Sequence, residues 1–178
     1  LLMSNFQAAL RTLLRSNADL EALIHQLNFT LFDLTKGERF ITFFLGEYEF
    51  ASGNLRYVNA GHNPPVLCSS EAEATEFLEA GTTILGVFES LPFLEVGKRD
   101  GLKEFTLHLF TDGLTEAMNP EEEEYGEQRF KELAEKNKEQ NPAEFHQEFR
   151  LAIDKFAKKT PFHDELTLLS LRFSRACP

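Results

Sequence analysis

The stretch that decides the fold reads Lys103-Glu104-Phe105-Thr106-Leu107-His108-Leu109-Phe110-Thr111-Asp112-Gly113. Its aromatic and branched residues predict a strand. It ends on an Asp-Gly pair, where the backbone turns sharply and side chains from other strands converge. Asp-Gly is among the commonest turn dipeptides, so Asp112 alone says little about chemistry. Downstream, Phe162-His163-Asp164-Glu165 precedes Leu166-Thr167-Leu168-Leu169-Ser170-Leu171-Arg172-Phe173, whose length and branching predict a last, buried strand. If the two strands lie side by side, the carboxylates of Asp112 and Asp164 face one another across one sheet edge. Two carboxylates about 5 Å apart repel by roughly 3 kcal/mol at an effective dielectric of 20, so the pair calls for a proton or a cation. Mg²⁺ or Mn²⁺ meets that need, because hard divalent ions take carboxylate oxygens and water and lower the pKa of a bound water.

Working outward, Ser52-Gly53-Asn54 is a turn cluster between Phe40-Ile41-Thr42-Phe43-Phe44-Leu45 and Leu55-Arg56-Tyr57-Val58, which predicts a β-hairpin. Further strands are expected at 65–67 and 75–78. Upstream, Phe6, Ala9, Leu10, Leu13 and Leu14 share one helical face, and Leu20, Leu23, Ile24, Leu27 and Leu31 repeat the period after Ser16-Asn17, read as capping residues. These form a helical hairpin on a sheet, or else a movable pair that transmits a signal and offers a dimer interface. After Gly113 the chain turns helical and acidic, with Glu121 to Glu124 read as a solvated loop or a helix start because four adjacent like charges repel. Helices follow over 127–136 and 142–158, with Pro142 in a first turn. Helices, strands, helices and a strand, in that order, make an α+β layered domain with mostly antiparallel strands.

The 178 residues, 42% hydrophobic and 26% charged, fit one globular domain, 1–178. Eighteen phenylalanines supply a core without disulfides, and Cys68 and Cys177 read as free thiols of a reducing compartment. A formal charge of −11 repels phosphate backbones and anionic lipid, which argues against nucleic-acid and membrane partners. No apolar run approaches the roughly 20 residues of a membrane span. A cytoplasmic protein is expected. The chain opens at Leu1, without Met and inside a helix, so upstream sequence is expected as well.

Three segments in order, Tyr57-Val58-Asn59-Ala60-Gly61-His62-Asn63-Pro64-Pro65, then Leu109-Phe110-Thr111-Asp112-Gly113-Leu114-Thr115-Glu116-Ala117 with Tyr125-Gly126, then Asp164-Glu165-Leu166-Thr167-Leu168-Leu169, resemble signatures of the SpoIIE/RsbU-like branch of the metal-dependent (PPM, PP2C-like) protein serine/threonine phosphatases. The opening helix is similar to the one that follows the family's Asp-Val-Ser-Gly-type metal motif. The resemblance implies an α-β-β-α fold, a β-sandwich flanked by helices and here lacking its first strands. It also implies two or more Mn²⁺ or Mg²⁺ ions in the complete domain and hydrolysis of phosphoserine or phosphothreonine by a metal-bound water. Asp112 matches a metal-ligand aspartate and Asp164 the first residue of the C-terminal Asp-Asp or Asp-Asn pair, both at the catalytic centre. Gly113 allows close backbone approach, and Thr111 and Thr167 orient the carboxylates or backbone around them.

Two departures stand out. The family's bridging aspartate lies upstream of Leu1, so this chain is expected to have little activity by itself, and Glu165 occupies a position usually filled by Asp or Asn. By resemblance, the partners are a phosphorylated anti-sigma-factor antagonist of the STAS type and an upstream sensor or receiver domain. The alternative is a non-catalytic phosphatase-like module that binds a partner protein. His62 is read as fixing its Gly-His-Asn-Pro-Pro turn rather than as a general acid, His163 as an exposed loop residue, His25 and His108 as structural or exposed, and His146 as a helix residue without partners.

Overall fold

The computed structural model describes residues 2–16, 19–69 and 75–174. In chain order the elements are α1 (Leu2–Arg15), α2 (Leu20–Thr35), β1 (Phe43–Glu49), β2 (Asn54–Ala60), β3 (Val66–Ser69), β4 (Glu76–Phe77), β5 (Gly81–Thr82), β6 (Gly97–Arg99), β7 (Glu104–Phe110), α3 (Asp112–Thr115), α4 (Gly126–Lys136), α5 (Pro142–Ala157) and β8 (Leu168–Ser174). The fold is mixed α+β and divides into two compact units, residues 1–62 with 79–100 and residues 63–78 with 101–178.

In the first unit the apolar stripes of both helices turn inward except at Leu14, expected on the α1 stripe but 51% exposed at the helix end. Phe6 of α1 and Leu20, Leu23, Ile24, Leu27 and Leu31 of α2 form one core with Val58 and Ala60 of β2, and Phe43 and Leu45 of β1 pack against it. Each such side chain contributes about 1.5–3 kcal/mol on burial, and the edge-on contact of Phe6 with Phe43, centroids 5.1 Å apart, ties α1 to the sheet. The expected helical hairpin on a sheet is therefore present. Its cap is not Ser16-Asn17. Ser16 donates back to Leu13 O (2.7 Å), Asn17 lies outside the described residues, and Asp19 caps α2 by accepting from Glu21 N. A hydrogen bond from Arg56 holds the Asp19 carboxyl below its ordinary value. Buried Asn28 donates to Phe88 O and Glu89 O and accepts from Gly86 N, pinning the 86–89 loop to α2.

The sheet of this unit runs β1-β2-β5, with β6 also on β2. The hairpin β1–β2 forms in the expected place but is shifted: β1 starts at Phe43 rather than Phe40 and continues through Glu49 opposite Asn54. Ile41 makes only an isolated bridge with Leu85.

The second unit holds an antiparallel sheet of order β4-β3-β7-β8. Val66 and Cys68 of β3 and Phe110 of β7 share a core with Phe130 and Ala134 of α4 and Phe145, Phe149 and Ile153 of α5. Helix α5 starts where Pro142 predicts, and Asn141 and Glu144 form a reciprocal capping box. The last strand corrects an expectation. β8 is not buried: it is the outer strand of its sheet, with Leu169 50% and Leu171 40% exposed. A run of leucines reads as core whichever strand lies beside it, and β8 has β7 on one side only. Cys68 is a buried free thiol, and burial pushes its pKa up to about 11. Cys177 lies outside the described residues. No helix among the described residues is long and apolar enough to cross a membrane.

Candidate functional site

Strands β7 and β8 are paired along their full length, from Glu104 opposite Ser174 to Phe110 opposite Leu168. One further backbone bond follows, from Thr111 N to Thr167 O (3.1 Å), before the chain turns into α3. Asp112 is the first residue of α3; Asp164 precedes β8 by a few residues on the adjoining strand end. Both are exposed. Each turns one oxygen onto its own following amide: Asp112 Oδ1 accepts from Gly113 N (2.9 Å) and Asp164 Oδ1 from Glu165 N (2.7 Å). Among the described residues, the second oxygen of each carboxylate takes no hydrogen bond.

Two residues hold the segments together. A Cβ on Gly113 would lie 2.7 Å from Glu165 O and 3.3 Å from the Asp164 carbonyl carbon, so only glycine lets the backbones approach this closely. Thr111 donates its hydroxyl to Glu165 O (3.0 Å) and accepts from Thr167 N (3.1 Å). The structure thus brings the Asp112 and Asp164 segments side by side at one end of the strand pair.

His62 does sit in a fixed turn, where the Asn59 side chain donates to His62 O and accepts from His62 N, both within 2.9 Å. His163 and His25 are exposed, as are Glu165 and Thr167. Glu121 to Glu124 lie in an exposed loop organised by Asn119, whose Oδ1 accepts from Glu121 N and Glu123 N.

Sequence reasoning missed a second polar cluster. Of the two readings open for His108 the structure takes the structural one, at 2% exposed, and His146, expected without partners, does have one. His108 Nδ1 lies 2.7 Å and His146 Nε2 2.9 Å from the same Ser170 hydroxyl. Burial, with a smaller contribution from the charge on His146, pulls the His108 pKa down to about 4. The strand pairing that sets His108 opposite Ser170 was foreseeable only as an adjacency, and α5 was not assigned to that face.

Among the described residues no group of three or more His, Cys, Asp or Glu is arranged to hold a metal ion. Residues 1–174 match the family described as Stage II sporulation protein E (SpoIIE). The chain belongs to the SpoIIE family. A curated relative, Protein IcfG of Synechocystis sp., is 32% identical over 93 residues, which are 52% of this chain and 14% of IcfG. The chain therefore spans only a small part of that relative's length. Among solved structures, the SiaA-PP2C domain of Pseudomonas aeruginosa superposes with a TM-score of 0.80 at 17% identity, covering 97% of this chain and 69% of the other. The RsbU and RsbW domains of Rv1364c from Mycobacterium tuberculosis give 0.74 at 22% identity, covering 99% and 48%. These two likenesses establish a PP2C-type fold.

Proposed function

We propose that the chain acts as part of a single metal-dependent protein phosphatase domain, with Asp112 and Asp164 as ligands at its catalytic centre. Its substrate is phosphoserine or phosphothreonine on a bacterial regulatory protein of the anti-sigma-factor-antagonist type. The observation that carries this is the meeting of the two aspartate segments at one end of β7 and β8, each carboxylate with an oxygen outside any hydrogen bond among the described residues. Family membership over 1–174 supports the reaction class, and the likeness to a chain carrying RsbU and RsbW domains supports a partner-switching substrate.

The donor set fits Mn²⁺ or Mg²⁺ in kind, being exposed carboxylate oxygen beside solvent. When bound, such an ion supplies charge neutralisation at the phosphoryl oxygens and a water acidified enough to act as a nucleophile. The chain's own part is to hold two negative charges at one strand end and to keep them there through Thr111 and Gly113. In number the set is thin: two carboxylates furnish few of the roughly six oxygens such an ion takes. Weak metal affinity and slow turnover by this chain alone follow from that count.

The test is hydrolysis of p-nitrophenyl phosphate and of a phosphoserine peptide by the 178-residue chain with millimolar Mn²⁺. A slow rate that vanishes in Asp112→Asn is the expected result. A rate unchanged by that substitution removes Asp112 from the chemistry. No Mn²⁺ binding together with affinity for a phosphorylated antagonist protein instead favours the non-catalytic module.

A further inference from the structure

At the end of the β7–β8 ladder the backbone stops supplying the bonds that its register requires. An antiparallel pair exchanges two hydrogen bonds at every second residue pair. At Thr111 and Thr167 only one of the two is made, Thr111 N to Thr167 O. The Thr111 carbonyl is turned away and accepts from Leu114 N (3.0 Å) inside α3. Two residues on, the next bond of that register would run from Gly113 N to Glu165 O, but Gly113 N donates to Asp112 Oδ1 instead. The turn into α3 therefore withdraws two backbone partners from the segment that carries Asp164.

One hydroxyl replaces both. Thr111 Oγ1 accepts from Thr167 N and donates to Glu165 O. Thr111 also sits at the N-cap position of α3 with extended backbone (φ −88°, ψ 162°), where a threonine ordinarily accepts from an amide of the first turn, yet it makes no such cap bond. Its hydrogen-bonding capacity is directed wholly across to 165–167.

We propose that Thr111 is a positioning residue for the Asp112–Asp164 pair: its hydroxyl, rather than its bulk, holds the Asp164 segment in register with Asp112. This rests on reading the pair as a metal site. Residues that orient metal ligands without touching the ion typically change affinity about 10–100-fold when removed.

The experiment is Mn²⁺ titration of the 178-residue chain, followed by electron paramagnetic resonance of free Mn²⁺, for the parent and for Thr111→Val, Thr111→Ser, Asp112→Asn and Asp164→Asn. Valine keeps the shape and deletes the hydroxyl, and is expected to weaken Mn²⁺ binding about tenfold or more. Serine keeps the hydroxyl and is expected to bind within about twofold of the parent, a rescue that a purely packing role would not give. Parent-like affinity in Thr111→Val overturns the proposal, as does a tenfold loss in Thr111→Ser. The serine measurement decides the matter even if the valine variant does not fold. If the two Asp→Asn variants retain parent affinity, the metal-site reading itself falls. If they lose it while Thr111→Val does not, only the role of Thr111 falls.

Discussion

The middle and the end of the same strand pair carry polar groups in opposite circumstances. Midway along β7 and β8, His108 and Ser170 are directly opposite each other under α5, His108 is buried, and the Ser170 hydroxyl is shared with His146. At the end, Asp112 and Asp164 are exposed, and each satisfies one oxygen on its own neighbouring amide while the other takes no hydrogen bond among the described residues. Burial forces pairing, so the middle cluster is closed on itself and contributes to stability. Exposure permits an unpaired carboxylate oxygen, so the strand end keeps capacity for a ligand. Polar residues on one pair of strands thus divide into a closed, buried group and an open, exposed one according to what covers them.

The largest expected consequence belongs to the closed cluster. The His108 pKa lies at about 4 in the folded chain, against an ordinary value of 6.5. Between those values the unfolded chain binds a proton that the folded one does not, so this contribution to stability is complete above pH 6.5 and is lost as the pH falls toward 4. The loss amounts to about 3 kcal/mol. Urea unfolding at a series of pH values should show it, and replacing His108 by Gln should flatten the profile. A profile equally steep without His108 would assign the loss to other groups.

A smaller effect is expected at the open end. Gly113→Ala places a methyl 2.7 Å from Glu165 O, against backbone rather than a yielding side chain. The overpacking should cost about 1–3 kcal/mol and lower Tm by about 2–10 °C. Because the clash is at the end of the ladder, the His108 titration followed by NMR should stay near 4. If Gly113→Ala is neutral and the His108 titration moves instead, the two clusters are not separate in the way described.

Much of this arrangement was legible in the chain. The run from Glu104 to Phe110 is aromatic and branched and forms β7 as expected, and the apolar spacing from Phe145 to Phe156 gives α5 to within a residue. Asp112 and Asp164 were singled out because both are carboxylates at strand boundaries, and their segments do lie side by side. β5 and β6 were not legible: Gly81–Thr82 and Gly97–Arg99 have no strand-like pattern of their own and exist through pairing with β2. The exposure of Leu169 and Leu171 depends on which strand lies outermost, which periodicity does not report. An orienting role for Thr111 was expected from the family resemblance; what only the register shows is that its hydroxyl replaces withdrawn backbone bonds.

Calorimetric titration of Mn²⁺ into the parent chain, Asp112→Asn, Asp164→Asn and the double variant decides whether the two strand ends form one site. If both carboxylates hold the same ion, each single substitution lowers affinity about tenfold or more, and the double variant binds no better than the weaker of the two. Unchanged affinity in either single variant would contradict a shared site.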